Sequence, residues 1–104
     1  MSPKIVFADD HDHIRVLLEQ TLEEFEDDGA ELFPASNGAE AWEIVQAQRP
    51  DVVILDVMMP GLTGFEVCDH IKSDPDFSHA HVIMLTARGQ ARDYERGVEV
   101  GADE

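Results

Sequence analysis

Residues 52–64 read Val52-Val53-Ile54-Leu55-Asp56-Val57-Met58-Met59-Pro60-Gly61-Leu62-Thr63-Gly64. Four consecutive apolar residues run into a single carboxylate, Asp56. A short unbroken β-branched run fits a strand buried on both faces, as in a parallel sheet. Pro50 precedes it, and Pro60 and Gly61 follow; these residues break regular structure and bound the strand. Asp56 is therefore expected where a buried strand opens into a loop. In open α/β sheets that carboxyl edge is where ligands bind. On its own, an Asp at such a point is more often a plain turn or cap residue.

Two further runs change the weight of that residue. Lys4–Asp10 reads KIVFADD, an apolar stretch that ends in Asp9 and Asp10. Val82–Thr86 reads VIMLT and ends in a hydroxyl. Polar strand ends of this kind can converge on one edge of a sheet. Carboxylates that repel one another are costly to collect unless a cation lies between them. Asp9, Asp10 and Asp56 would supply hard oxygen ligands, which suit Mg²⁺. His11 and His13 stand beside Asp10 and Asp12 and raise the option of a borderline transition metal. The remaining collected ligands are oxygens, which favours the harder ion.

The rest of the chain alternates strand and helix. After Lys4–Ala8, the residues Ile14, Leu17, Leu18, Leu22 and Phe25 recur at helical spacing, with Asp12 placed as the N-cap. Asp27-Asp28-Gly29 ends that helix, and Gly29 suits a left-handed cap. Glu31–Ala35 is expected as a strand at a sheet edge, because Pro34 lacks the ladder donor. Ala39–Gln48 is a helix with Ala41, Trp42 and Val45 inward, and Trp42 is a packing residue. Gly64–Ser73 is a helix with Phe65, Val67, Cys68 and Ile71 on its apolar side. Asp74–His81 is a polar loop and Val82–Leu85 a fourth strand. Gln90–Val100, with Tyr94 and Val98 on one side, is a final helical segment. Such βαβ repetition implies a parallel sheet with helices on both faces.

Bulk composition narrows the partners. The 104 residues suit one domain, and 43% of them are hydrophobic. Net charge is −16, with only seven Lys plus Arg. That argues against direct binding to nucleic acid or an anionic membrane, which need basic patches. Most of the acids are expected to form a solvated surface. The single cysteine, Cys68, allows no internal disulfide. No signal-type segment follows Met1, and no apolar run approaches the ~20 residues of a membrane helix. A cytoplasmic location is expected.

The strand-end residues together carry a resemblance. Asp9-Asp10, Asp56 with the following VMMPGLTG, and Thr86-Ala87 resemble the receiver domain of two-component response regulators, over Lys4 to Glu104. The resemblance implies a flavodoxin-like, doubly wound parallel sheet with strand order 2-1-3-4-5. It further implies that residues 1–104 are one receiver domain, short of the family's fifth strand and fifth helix and part of a longer protein. Asp56 would accept a phosphoryl group from a phosphohistidine of a sensor histidine kinase or phosphotransfer protein, as carboxylate nucleophiles can. Mg²⁺ would be held by Asp10 and Asp56 directly, by Asp9 mainly through water, and by the backbone carbonyl of Met58. Thr86 would be the switch hydroxyl, and the small Ala87 would leave access to the phosphoryl group. Pro60 and Gly64 match the family's loop and are scaffold. Neither Lys4 nor Lys72 matches the family's fifth-strand Lys. With no fifth strand, the VIML strand would be an exposed edge inviting self-association. The domain would be regulatory, with at most self-phosphorylation and self-dephosphorylation.

Two other readings compete with this one. Asp10-His11-Asp12 has the Asp-x-Asp spacing of haloacid-dehalogenase-like phosphatases, which would make the chain an enzyme. That reading leaves Asp56 and its loop unexplained. A pseudo-receiver that binds partners without phosphoryl chemistry would not need the full acidic set.

Overall fold

Three of the apolar runs and the Pro34 segment all become strands of one parallel sheet. The computed structural model describes residues 3–57, 59 and 61–85. Along them lie β1 (Lys4–Ala8), α1 (Asp12–Asp27), β2 (Glu31–Ala35), α2 (Gly38–Gln48), β3 (Val52–Asp56), α3 (Gly64–Ser73) and β4 (His81–Leu85). Among the described residues the sheet has four strands in the order β2-β1-β3-β4. Every pairing is parallel. The doubly wound, flavodoxin-like architecture expected from the sequence is what forms. β2 lies at an edge, with Pro34 exposed, where its missing N–H costs least.

Side chains alternate across the pleat, and each face meets different helices. Val6, Val53, Leu55 and Val82 point to the face covered by α2 and α3, where Ala41, Val45, Val67, Cys68 and Ile71 complete a fully buried cluster. Ile5, Phe7 and Ile54 point the other way and meet Leu22 and Ala30 beneath α1. The central strands β1 and β3 are thus buried on both sides, which is why their sequences read as unbroken apolar runs. Trp42 is a packing residue: its ring stacks on His70 at 5.3 Å and meets Phe77 edge-on at 5.6 Å.

Local chemistry sets the helix ends. Asn37 caps α2 by accepting from the Glu40 amide at 2.8 Å. Thr63 caps α3 by accepting from the Glu66 amide at 3.2 Å, and its hydroxyl donates back to Glu66 at 3.4 Å. The first of these bonds satisfies one of the unpaired amides of the helix N-terminus. After α1, Gly29 takes φ +101°, the left-handed region expected of it. Among the described residues no helix is long and apolar enough to cross a membrane.

Two local expectations are corrected. The N-cap of α1 is His11, without a side-chain cap bond, and Asp12 is the first helical residue. Asp12 is drawn instead to the Arg15 guanidinium, one turn along. The apolar side of α1 is also narrower than its spacing suggested. Leu22 is buried and Leu18 packs beside it, but Leu17 and Phe25 are 55% and 53% exposed. Periodicity places residues on a stripe; it does not say how wide a stripe the sheet covers.

Candidate functional site

β1 and β3 lie side by side with Ala8 opposite Leu55. Asp9, just past the end of β1, and Asp56, the last residue of β3, therefore stand at the same level. Asp9 is only 4% exposed. Its amide donates to the Ala35 carbonyl of β2 at 3.2 Å. Its carbonyl accepts from Arg15 Nη1 at 2.6 Å, while the other arm of that guanidinium pairs with Asp12. One arginine thus ties the β1–α1 turn to the first turn of the helix, using its fork of donors.

His11 turns back over the acids. Its amide donates to Asp9 Oδ1 at 2.8 Å. Its ring Nδ1 lies 3.1 Å from Asp9 Oδ1 and 3.1 Å from Asp10 Oδ1. The hydrogen bond to Asp9 raises the imidazole above its ordinary pKa of 6.5, and the negative charge of Asp10 adds to that. One ligand atom from each of Asp9, Asp10, His11 and Asp56 lies within 4.8 Å of all the others. The set is three carboxylates and one imidazole at the carboxyl edge of the sheet. Its donors fit a divalent cation, with oxygens predominating.

The loop after β3 is pinned from both sides. The Val57 amide donates to the Leu85 carbonyl at 3.1 Å, and the Gly64 amide donates to the Val57 carbonyl at 3.2 Å. A Cβ on Gly64 would lie 2.9 Å from the Asp56 carbonyl carbon and 3.0 Å from Met84 Cε. The start of α3 can lie against the Asp56 backbone because Gly64 has no side chain.

Of the residues singled out in the sequence, Asp9, Asp10 and Asp56 come together. Met58, Thr86 and Ala87 lie outside the described residues, as do Pro60 and the Gln90–Val100 segment. Asp12 is exposed, is paired with Arg15 and is not among the four grouped side chains. His13 is likewise outside the group, its ring 5.7 Å from that of His11. His70, His79 and His81 are exposed. Lys4 and Lys72 sit toward the amino ends of the strands. Lys4 Nζ donates to Gln48 at 3.3 Å, and Lys72 Nζ donates to the carbonyls of Ser78 and Ala80 at 3.2 and 2.7 Å. The sequence reading missed Arg15 as the tie of the β1–α1 turn. Its signal was the Asp12/Arg15 spacing at i, i+3. Spacing along the chain does not separate His11 from His13.

Comparison with known proteins bears on this arrangement. Residues 5–104 match the family model described as the response regulator receiver domain. The whole chain is 38% identical to the phosphate regulon transcriptional regulatory protein PhoB of Rhizobium meliloti (strain 1021) and spans 44% of that protein's length. The signal receiver domain of a DNA-binding response regulator protein (merR) from Colwellia psychrerythraea 34H superposes with a TM-score of 0.89 at 32% identity, over 98% of this chain and 82% of that one. The Vibrio cholerae chemotaxis protein CheY4 superposes with a TM-score of 0.86 at 33% identity, again over 98% and 82%. The chain thus spans less than half the length of the curated relative and most of each solved structure.

Proposed function

Because the chain belongs to the family of response regulator receiver domains, we propose that it is a phosphoacceptor switch with Asp56 as the acceptor. One observation carries the reading. Asp56 shares a 4.8 Å cluster with Asp9 and Asp10 at the carboxyl edge of the parallel strands, where open α/β sheets bind ligands. An Asp56 carboxylate oxygen bonds to phosphorus as the phosphorus–nitrogen bond of a phosphohistidine breaks, leaving an acyl phosphate on the chain and the imidazole on the donor.

The chain's own residues prepare that step. Asp9, Asp10 and Asp56 would hold Mg²⁺, with the Met58 carbonyl as a further protein ligand. When bound, that ion neutralises charge on the phosphoryl oxygens. Arg15 keeps the β1–α1 turn, and so the Asp9 backbone, in one place. Gly64 and the Val57 amide hold the exit of β3, so the acceptor carboxylate is presented from a fixed backbone. Thr86, next in sequence after Leu85, would supply the hydroxyl that answers to the new phosphate, and the small Ala87 would leave access to it, as the family resemblance implies.

The partner class follows from the family: receiver domains exchange phosphoryl groups with histidine kinases and phosphotransfer proteins. Here the partner would be a sensor kinase or such a carrier, and the chain's role would be regulatory, without turnover of a separate substrate. A net charge of −16 speaks against nucleic acid as a direct ligand of this chain. The Asp-x-Asp phosphatase reading has no comparable support, since Asp12 pairs with Arg15 away from the acid cluster.

The test is covalent labelling. Incubation with a small acyl-phosphate donor and Mg²⁺ should add one phosphoryl group by intact-mass spectrometry. The group should be absent in Asp56→Asn and in samples treated with a chelator. Labelling that survives Asp56→Asn but is lost in Asp10→Asn would move the acceptor to β1 and reject the proposal.

A further inference from the structure

Among the described residues, the acid cluster contains one ligand atom that an all-carboxylate Mg²⁺ site does not need. His11 Nδ1 lies 3.1 Å from one oxygen of Asp9 and 3.1 Å from one oxygen of Asp10, and a ring nitrogen of His11 falls within the same 4.8 Å group as Asp56. Neighbouring ligands of an octahedral ion bound at about 2.1 Å are about 3.0 Å apart. The hydrogen-bonded imidazole nitrogen is therefore already at the spacing from both carboxylates that an adjacent ligand would take once its proton has left. The His11 backbone holds it there: its amide is anchored on Asp9 Oδ1 at 2.8 Å, and the residue is the N-cap of α1. The ring itself is exposed, so a partner ion can reach the nitrogen without rearranging the core.

We propose that His11 is a direct nitrogen ligand, which makes this a mixed nitrogen–oxygen site that prefers late first-row divalent ions over Mg²⁺. The inference rests on the phosphoacceptor reading only in taking the same acids as the cation site. Imidazole binds Ni²⁺ and Zn²⁺ far better than it binds Mg²⁺, which takes oxygen and keeps its water. Carboxylates bind both classes and already favour the later ions somewhat, so His11 is what widens the preference. His13 contributes nothing to it, because its ring lies outside the cluster.

Titration calorimetry with Mg²⁺ and with Ni²⁺ on the whole chain tests the assignment. The quantity read is the ratio of the two affinities. His11→Gln and His11→Asn should each cut the preference for Ni²⁺ by about tenfold or more, at least the loss that removing an outer-shell partner of a metal ligand causes. His13→Gln should leave the ratio where it was, and Asp10→Asn should weaken both ions. Imidazole ¹⁵N spectra should show Zn²⁺ perturbing His11 Nδ1 ahead of the other histidines. The assignment is overturned if the ratio is unchanged in both His11 variants. It is equally overturned if His13→Gln lowers the ratio as much while Asp10→Asn does not, since Ni²⁺ would then be held by a surface histidine pair. In either case saturable Mg²⁺ binding leaves the phosphoacceptor reading standing. A chain that binds neither ion overturns both.

Discussion

His11 concentrates the electrostatics of the site in one side chain. In the metal-free chain its ring faces Asp9 and Asp10, and its pKa is raised by the hydrogen bond to Asp9 and then by the charge of Asp10. A raised pKa in the folded state means the protonated ring stabilises the fold. That contribution is fully present below the unfolded value of about 6.5 and is lost as pH rises through the higher folded value. Ring-proton NMR titration without divalent ions should therefore place His11 above 6.5; a midpoint at or below it would contradict the observed contacts. Asp9 shows a different use of one residue. Its amide, carbonyl and carboxylate each have a separate partner, in Ala35, Arg15 and His11. The side chain is thereby buried without being left unsatisfied.

The elements matter here through their ends. β1 and β3 deliver acids because parallel strands in register finish at the same level, and the helices that follow start close beneath them. The junction of β3 with α3 is tightly packed. Gly64→Ala would press a methyl group into the Asp56 carbonyl, for which backbone must move. It should cost about 1–3 kcal/mol in urea unfolding, as overpacking does, and should also slow phosphoryl labelling because Asp56 shifts with it. Asn37→Ala makes an informative contrast. It removes the cap bond to the Glu40 amide and should cost about 1 kcal/mol, while labelling of the folded protein stays at the parent rate. Equal effects of the two substitutions on labelling would show that the Gly64 contact does not position the acceptor.

At the scale of the whole molecule, charge dominates. Twenty-three acids against seven Lys plus Arg leave self-repulsion throughout the fold, and three of those acids meet at one edge. Salt should raise the urea midpoint by general screening. Mg²⁺ should raise it further than NaCl of equal ionic strength, because a bound ion stabilises the folded state by mass action, by about 2.7 kcal/mol at a hundredfold excess over Kd. Asp10→Asn should abolish that excess while keeping the response to NaCl. Identical midpoints in the two salts would exclude a specific divalent site. The sheet meanwhile divides the core into two layers: α2 and α3 cover one layer with residues from all four strands, and the other layer lies under α1. Removing volume from the α2/α3 face would disturb both central strands and the site they carry.

The order of residues is enough to say which segments are strands, where each ends and that three acids stand at those ends. Unbroken apolar runs bounded by Pro and Gly report burial and termination through short-range chemistry, and such chemistry is written residue by residue. Pro34 even marked the edge strand, because a missing N–H is a local fact. Neighbours across space were decided only by the tertiary structure. It selected His11 over His13 for the acid cluster, drew Asp12 away to Arg15, and left Leu17 and Phe25 on the uncovered side of α1. These outcomes depend on the direction a side chain takes once strands and helices have docked, and no spacing along the chain encodes that direction.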